Sequence, residues 1–548
     1  MLGIVCSDTD LAIAEEFFEL FKTPWERYRK GRRYDVVIAM EIELQVDATL
    51  LVSYGTGEVS TPNPLGARVC CADVVVPIYC ELRKFKAAGE VLLRVEGDGD
   101  VAGIRIAEGN TQVVRLGFNL FKEVEYLLKT GQPPENAMTP TLDIHISMLR
   151  SWILQAGLGL IEVPPVPAGY GLIACLTHDV DFAGIRHHKL DHSVWGFIYR
   201  ALFGSLQRVL TRQMPWDDLR KNWLAVSSLP LVYLGLCRDF WLEFDRYFEL
   251  EAGLKSTFFL IPFKGRAGHK VVARNAKRRA ARYDITDIQE SVREALKNGN
   301  EIGLHGIDAW HSETMARQEA ARITQATGKT ELGVRVHWLC FDSHTPEILD
   351  KAGFDYDSTF GFNEVIGYRA GTSRVFRPLG VSHLLELPLH IQDVAMFRPS
   401  AMGLSEERAQ DACNIILDTV AELGGVVTVL WHMGSLSPER LWSRFYIYLL
   451  QELSRRSAWF ATASEVTQWF RMRRALIFEE VSWDENGLRL VIEGPEEQPV
   501  QKLFFRIQLP QGGGRYIDVP WSGKRVIRLS AAEMLTMNGT TSDEFLNV

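Results

Sequence analysis

Aspartate and histidine side chains recur along this sequence at the points where short apolar segments end. The segment Leu172 to Leu176 is followed directly by Thr177-His178-Asp179-Val180-Asp181, and the segment Glu301 to His305 ends on a histidine. Unpaired carboxylates are costly to desolvate, so we infer that something at these ends needs the charges. An aspartate with two imidazoles is a suitable ligand set for a catalytic divalent metal, because three protein ligands leave a position open for water. A second carboxylate can then take a proton from that water, and a separate histidine can protonate a leaving group.

Apolar strands separated by helical segments must position these residues. The predicted strands are Leu172 to Leu176, Ser256 to Ile261, Glu301 to His305, Val334 to Leu339, Leu384 to Leu389 and Val426 to Trp431. Such alternation over roughly 300 residues predicts a β/α barrel, in which chemistry gathers at the carboxyl ends of the strands. Six of the thirteen histidines fall at these ends, which supports a shared site: His178, His305, His311, His337, His390 and His432.

The remaining sequence predicts an α/β protein of several parts. Residues 1–160 alternate strands with helices, which favours a doubly wound, Rossmann-like accessory domain. Residues 161–171 carry three prolines and are typical of a linker, so the barrel is expected over 172–475. Short alternating segments separated by turns predict a small antiparallel β domain, a sandwich, over 476–548.

A segment between the first two barrel strands, residues 186–249, is predicted to be a helical insertion. It contains apolar and aromatic residues with basic residues interleaved, as in "HSVWGFIYRALFGSLQRVL". This pattern favours an extra helical pair that covers the barrel. The alternative is a helix that lies at a membrane interface or forms a lid over the substrate cleft.

Composition narrows the class of protein. The chain has 548 residues and a formal net charge of −9, and no dense basic run predicts a nucleic-acid partner. The longest apolar run, Leu229 to Cys237, is far shorter than the roughly 18 residues of a membrane span, so no transmembrane segment is expected. The N-terminal residues lack the features of a signal peptide. The eight cysteines include no CxxC pair, which is typical of reduced thiols. We therefore expect a cytoplasmic protein; no feature indicates its oligomeric state.

Five elements in order resemble the polysaccharide deacetylases of carbohydrate esterase family 4, which share the NodB-homology domain. They are Asp-x-Asp at 179–181, "KSTFFL" at 255–260, "EIGLH" at 301–305, Arg335 and "LWH" at 430–432, and they span about 170–470. The resemblance implies a (β/α)7 barrel. It also implies a metal-dependent hydrolase that acts on a carbon–nitrogen, non-peptide bond and removes N-acetyl or related acyl groups from a sugar or polysaccharide intermediate. The implied metal is zinc, with cobalt, nickel or iron as alternatives.

The same resemblance implies roles for the acidic residues and the metal ligands. Asp179 matches the general base and Asp181 a metal ligand, although Val180 separates two residues that are adjacent in the family, so the roles could be exchanged. His305 matches the first histidine ligand. The second is matched by His311, six residues on, where the family has His-x-x-x-His; Asp308 or a water is the alternative ligand.

Further roles follow from the resemblance. Arg335 matches the arginine that orients the base, and His432 matches the general acid. Asp393 and Asp357 are both candidates for the carboxylate that tunes His432. The loop 353–378 is expected to cover the substrate cleft, with Tyr368 and Arg369 as substrate contacts, whereas His337 and His390 are expected to pack or form hydrogen bonds.

Two other functions remain open from the sequence. One is a different C–N hydrolase on the same barrel, such as an enzyme that acts on a cyclic amide. The other is a catalytically inactive, glycan-binding scaffold, which the unusual spacing of His305 and His311 keeps open.

Overall fold

The computed structural model describes most of the chain. The described residues are 1–548 except 42, 43, 45, 59–66, 73, 87, 88, 98, 190, 213, 270–278, 441, 485, 486, 496–500, 510–514, 531, 532, 535–539 and 542–548. Among them, no helix combines the length and the apolar character that a membrane span needs.

The N-terminal region forms one mixed sheet of nine strands. Its strands are β1 (Leu2–Val5), β2 (Trp25–Arg27), β3 (Val36–Met40), β4 (Leu50–Tyr54), β5 (Ala67–Cys71), β6 (Val74–Ile78), β7 (Glu90–Val95), β8 (Val101–Glu108) and β9 (Thr111–Leu116). Their order is β2-β1-β3-β4-β9-β8-β7-β5-β6, and the pairs from β2 to β9 are parallel. The other pairs are antiparallel. The expectation of a doubly wound, parallel sheet is therefore corrected for the strands beyond β9. Strands β8 and β9, for example, are joined by two residues, which leaves no room for a crossover helix.

Three helices complete this region: α1 (Leu11–Phe21), α2 (Leu120–Lys129) and α3 (Thr141–Gln155). Helix α2 begins after Asn119, whose side chain accepts hydrogen bonds from the backbone N–H groups of Phe121 and Lys122. Side chains from the three helices and from the parallel strands share one buried apolar core. Burial of this core stabilises the N-terminal region.

The central region is built on parallel strands. After β10 (Leu160–Glu162) come β11 (Leu172–Val180), β12 (Ser256–Leu260), β13 (Glu301–Gly306), β14 (Gly333–Val336), β15 (Tyr356–Asp357), β16 (Leu385–Glu386), β17 (Ile391–Gln392), β18 (Val426–Leu430) and β19 (Ala458–Phe460). The order is β16-β15-β14-β13-β12-β11-β18-β17, with β19 beside β11. Strand β11 continues four residues beyond its expected end at Leu176, so Asp179 lies within the strand.

One short segment, residues 385–392, joins the two ends of this parallel sheet. The backbone N–H of Leu387 donates to the carbonyl of Asp357 at 2.8 Å, and that of His390 donates to the carbonyl of Thr428 at 3.2 Å. Backbone hydrogen bonds therefore continue from β15 through this segment to β18, as in a barrel. The count of seven strand–helix units remains a prediction.

Helices surround the parallel sheet. Between β11 and β12 the chain forms α4 (His192–Tyr199), α5 (Ser205–Leu210), α6 (Trp216–Tyr233) and α7 (Phe244–Leu250). The later helices are α8 (Gln289–Lys297), α9 (Glu313–Thr327), α10 (Thr345–Ala352), α11 (Asp393–Phe397), α12 (Glu406–Leu423), α13 (Ser443–Arg455) and α14 (Ala463–Arg474). The apolar faces of the later helices pack on the strands; α8, for example, buries Val292 and Ala295.

Antiparallel strands form the C-terminal region. They are β20 (Ile477–Asp484), β21 (Gly487–Glu493), β22 (Phe504–Gln508), β23 (Arg515–Pro520), β24 (Val526–Ser530) and β25 (Thr540–Thr541). One sheet has the order β20-β21-β24, and the other has the order β10-β22-β23-β25. The proline-rich stretch expected to be a linker thus begins with a strand that pairs with β22. The two sheets share a buried core with α14, β11 and β18.

A buried ion pair joins the N-terminal region to the parallel sheet. Nε of Arg374, in the loop between β15 and β16, lies 3.2 Å from Oδ1 of Asp143 in α3. The Thr372 hydroxyl and the Ser373 backbone N–H donate to the same carboxylate at 2.7 and 3.0 Å. Arg374 also donates to the carbonyl of Leu20 at 2.8 Å. Removing either charge would leave the other buried without compensation.

We expect Asp143→Ala to destabilise the protein by about 3–5 kcal/mol, because it leaves the buried Arg374 unpaired. The measurement is the thermal unfolding midpoint. The matched control is Glu125→Ala, which removes an exposed pair with Lys129 and should cost roughly 0.5 kcal/mol or less. Equal shifts of the midpoint in the two variants would contradict this role for the pair.

Candidate metal centre and active-site cavity

Strand alternation brings the acidic residues of β11 to one side of the sheet. Alternate residues of a strand face the same way, so Thr177, Asp179 and Asp181 share a side. His178 faces the opposite side, where its ring centroid lies 4.1 Å from that of Tyr247. The Asp-x-Asp spacing therefore directs both carboxylates to the same space.

Strand register brings Asp181 close to His305. Val180 pairs with Leu260, and Leu260 pairs with Leu304, so Asp181 and His305 each follow the same row of paired residues. Adjacent parallel strands lie about 4.8 Å apart, so side chains that leave the sheet at the same level meet.

Asp181, His305 and His337 form a compact group of ligand atoms. Oδ1 of Asp181 lies 3.3 Å from Nε2 of His305 and 3.3 Å from Nε2 of His337. One ligand atom of each residue lies within 4.8 Å of the others. One carboxylate and two imidazoles are a common ligand set for zinc and similar divalent ions.

The hydrogen bonding of this group fits a bound cation. Oδ1 of Asp181 and Nε2 of His305 are buried and have no hydrogen-bond partner, whereas buried polar atoms in folded proteins are nearly always paired. Nδ1 of His305 lies 2.9 Å from the carbonyl oxygen of Arg335 and donates to it, which leaves Nε2 facing Asp181. The residues present therefore suit a divalent metal.

The pKa values of Asp181 and His337 favour the unprotonated forms that bind a metal. Burial opposes ionisation of Asp181, but the surrounding imidazoles outweigh it and lower the pKa of the carboxyl group. Burial lowers the pKa of His337 to about 3, with only partial opposition from Asp181. Burial also acts to lower the pKa of His305, but Asp179 and Asp181 together raise it. At neutral pH Asp181 is thus ionised and His337 is neutral, as metal ligands must be.

Arg335 holds Asp179 beside this group. Nη1 of Arg335 lies 3.3 Å from Oδ1 of Asp179 and donates to the Thr177 hydroxyl at 2.6 Å. Its Nε and Nη2 donate to the carbonyl and hydroxyl oxygens of Ser358 at 2.9 and 2.8 Å. Oδ2 of Asp179 lies 3.5 Å from Nε2 of His305. The structure brings Arg335 to Asp179, and the free oxygen of that carboxylate faces the candidate metal centre.

His432 is bound by Asp393, one of its two candidate carboxylates. Nδ1 of His432 lies 2.7 Å from Oδ1 of Asp393, and the backbone N–H of His432 donates to Oδ2 at 2.7 Å. The Ser435 hydroxyl donates to the same carboxylate. Burial by itself would lower the pKa of His432, but the Asp393 carboxylate outweighs it, and the pKa is raised to about 9. The imidazole is therefore protonated at neutral pH.

Asp357, the other candidate, lies elsewhere. It is fully buried and accepts a hydrogen bond from the Thr359 hydroxyl. Burial raises its pKa to about 7. It makes no contact with His432 in the part of the chain described here, so it does not tune that histidine.

His311 and Asp308 lie outside the group of Asp181, His305 and His337, which corrects the expectation for the third ligand. Nε2 of His311 lies 3.3 Å from Oδ1 of Asp308, and that oxygen also accepts the backbone N–H of His269 at 2.7 Å. The segment after β13 turns here and α9 begins only at Glu313, so His311 is not placed on a helix with His305. His337, rather than His311, lies with Asp181 and His305.

One cavity of about 630 Å³ connects the site residues. It is lined by Asp179, Asp181, His305, His337 and His432, and also by His192 and Ser193 at the start of α4. The candidate metal centre, the carboxylate and the protonated histidine thus face a single space. Its volume lies in the range of small-molecule sites.

The expected substrate contacts of Tyr368 and Arg369 are corrected. Tyr368 is buried, and its hydroxyl donates to the carbonyl of Ile416 at 3.2 Å. The guanidinium of Arg369 lies 4.5 Å from the centre of the Phe360 ring, and neither residue lines the cavity. The same loop reaches the cavity through Asn363 and Glu364 instead.

His178 supports the segment after β18 that carries His432. Its Nδ1 lies 2.9 Å from the carbonyl oxygen of Trp431, and its Nε2 lies 3.0 Å from Oε1 of Glu251. The Tyr247 hydroxyl donates to the carbonyl of His432 at 2.9 Å. His178 therefore contributes to the structure behind the site rather than to the cavity.

The alternation of side chains along β14 could have predicted that His337 faces the cavity. Arg335 and His337 are two residues apart, so they tend to face the same side. Because Arg335 is expected to orient the base aspartate, the spacing also predicts that His337 faces the same cavity.

No family model matches the sequence, and no curated protein matches it significantly. Several solved structures align with the chain, each at a TM-score below 0.5. A carbohydrate deacetylase named Agd3 shares 8% identity and a TM-score of 0.37 over 96% of this chain and 97% of its own. A probable polysaccharide deacetylase from Pseudomonas aeruginosa PAO1 shares 13% identity and a TM-score of 0.35 over 56% of this chain and 94% of its own. Puue allantoinase shares 12% identity and a TM-score of 0.33 over 56% of this chain and 92% of its own. The roles proposed below rest on the geometry of the site and on the sequence motifs.

We expect the purified protein to hold about one divalent ion per chain, and Asp181→Ala, His305→Ala and His337→Ala each to lose most of it. His311→Ala is the matched control and should keep the metal, because its imidazole lies with Asp308. The measurement is elemental analysis by mass spectrometry after dialysis. Loss of metal from His311→Ala with retention in His337→Ala would contradict the ligand set.

Proposed function

We propose that this protein is a metal-dependent hydrolase that removes an N-acetyl or related acyl group from a carbohydrate. The proposal is carried by the arrangement of three kinds of group around one cavity. These are the candidate metal centre, the Asp179 carboxylate beside it, and the protonated His432. Hydrolysis of an amide needs activation of water, a base and an acid, and these groups supply all three.

Asp181, His305 and His337 would hold the metal, for which zinc is the first choice and cobalt, nickel or iron are alternatives. When bound, a divalent cation supplies Lewis acidity, which makes an attacking water more acidic and an amide carbonyl more electrophilic.

Asp179 is the proposed general base. Its Oδ1 is held by Arg335, and its Oδ2 faces His305, so the carboxylate is fixed in one orientation towards the cavity. It accepts a proton from the attacking water as the new C–O bond forms. Arg335 acts through Asp179 and is a positioning residue.

His432 is the proposed general acid. Asp393 binds Nδ1, so Nε2 is the ring nitrogen left for a substrate. As the C–N bond breaks, His432 transfers a proton to the departing nitrogen. The products are a free amino sugar and a carboxylic acid, which is acetate when the substrate is N-acetylated.

The carbohydrate part of the proposal rests on the resemblance of the five sequence elements to the polysaccharide deacetylases. Release of acetate from N-acetylated oligosaccharides by the metal-loaded protein tests it directly. Cleavage of a cyclic amide without acetate release would favour the alternative C–N hydrolase. Glycan binding with neither activity would favour the inactive scaffold.

We expect Asp179→Asn and His432→Asn to lower kcat by about 10²–10⁴ while the metal content stays at the wild-type level, because each variant removes one proton transfer. His383→Asn changes an exposed histidine outside the cavity and serves as the control for His432→Asn. Acetate release and metal content are measured on the same samples. Wild-type kcat in His432→Asn would rule out its role as the acid.

The pH dependence should report on the pair of Asp393 and His432. We expect kcat/KM to fall as the pH rises through about 9, since His432 then loses the proton that it must donate. Asp393→Asn removes the carboxylate that raises this pKa, so the alkaline limb should move to lower pH. Asp355→Asn, which removes a carboxylate 3.3 Å from the exposed His383, should leave the limb unchanged. An alkaline limb that stays in place in Asp393→Asn would contradict the assignment.

A further inference from the structure

The helical insertion between β11 and β12 carries an unusual amount of exposed apolar surface. Fourteen large apolar side chains are exposed in the described part of the chain, and ten of them lie between residues 195 and 236. Large contiguous apolar patches on a protein surface mark sites of interaction. The ten are Trp195, Tyr199, Phe203, Leu210, Trp216, Trp223, Leu224, Leu231, Leu234 and Leu236.

These side chains form stripes on the helices. Trp195, Tyr199 and Phe203 recur at every fourth residue, and the ring centroids of Tyr199 and Phe203 lie 5.9 Å apart. On α6, Trp216, Trp223 and Leu231 also fall on one face by their spacing.

The opposite faces of the same helices are already used. Val194 and Phe197 of α4 pack with Ala225 and Leu229 of α6 in a buried cluster. The helices thus have one apolar face packed inside the insertion and a second apolar face exposed. The second face is not needed to hold the helices together.

The insertion has an excess of basic residues, which favours an anionic binding partner. Residues 192–238 contain six basic residues and two acidic ones, whereas the whole chain has a formal net charge of −9. Arg208, Arg212 and Arg220 are exposed and form no ion pair among the described residues. Aromatic and aliphatic side chains beside unpaired arginines are the composition of helices that lie in the surface of an anionic bilayer.

We propose that this insertion docks on a membrane surface that contains anionic phospholipid, as a peripheral contact that does not span the bilayer. Exposed aromatic side chains of the insertion enter the interfacial layer, and its exposed arginines contact lipid phosphates. Pairing with a second copy through the same surface is disfavoured, because it would bring the two positively charged surfaces together.

The docked surface adjoins the cavity. His192 and Ser193, at the start of α4, line the same cavity as Asp181 and His305, and Trp195 follows within one helical turn. Docking would therefore hold the cavity near the lipid headgroups. This inference does not depend on the proposed hydrolysis, since it concerns binding alone.

Co-sedimentation of the metal-loaded, full-length protein with vesicles tests the proposal. The vesicles are phosphatidylcholine alone or phosphatidylcholine with phosphatidylglycerol. We expect binding to the anionic vesicles, with weak binding to the neutral ones. The triple variant Trp195→Gln/Phe203→Gln/Trp223→Gln should bind about tenfold or more weakly, because it removes the apolar contact.

The charge and control variants complete the test. Arg208→Gln/Arg212→Gln/Arg220→Gln should weaken binding to anionic vesicles roughly a hundredfold, because each basic residue near an anionic surface contributes about fivefold. Ile415→Gln/Ile447→Gln removes exposed apolar side chains outside the insertion and should bind like the wild type. Circular dichroism and metal content verify that every variant is folded.

The proposal would be overturned if the folded wild-type protein failed to bind anionic vesicles, or if the isoleucine control lost binding as much as the tryptophan variant. It would also be overturned if light scattering found a dimer that only the insertion variants disrupt, without any vesicle binding. In that case a second copy of the chain covers the surface.

Discussion

The site depends on a buried arginine. Arg335 has no exposed surface, and its guanidinium contacts Thr177 and Asp179 on β11 and Ser358 directly after β15. Its carbonyl oxygen binds Nδ1 of His305 on β13. A buried cation must be compensated by charge and by hydrogen bonds, so these neighbours are fixed around it. One residue therefore orients both the proposed base and one of the proposed metal ligands.

The cavity has a rigid side and a side built from connecting segments. Asp179, His305 and His337 lie in or directly after parallel strands, which hold side chains more accurately than loops do. The other walls come from connecting segments, among them the segment after β15 and the start of the helical insertion. Such segments can change between related proteins without disturbing the strands. The proposed chemistry is thus located on the sheet, whereas the proposed membrane contact is located on the insertion.

The strand pattern predicted much of the central fold and part of the site. The pattern of polar residues in or directly after apolar segments pointed to Asp179, Asp181, His305 and Arg335, because parallel strands bring their carboxyl ends to one rim. The pattern gave wrong predictions where tertiary contacts determine the position of a side chain. His311 follows a turn whose course depends on the hydrogen bonds of Asp308, and Tyr368 is drawn into the core although its loop reaches the cavity. The expectation for the N-terminal sheet fits its parallel part, from β2 to β9, but not its antiparallel part. Hairpin strands and crossover strands have similar apolar content, and only the connections distinguish them.

The central claim is that Asp181, His305 and His337 share one divalent cation. Anomalous diffraction at the zinc absorption edge, from crystals of the zinc-loaded protein, measures this directly. The account predicts one strong peak about 2.0–2.2 Å from Oδ1 of Asp181 and from the Nε2 atoms of both histidines. A peak beside His311 and Asp308, or no peak near Asp181, would contradict it.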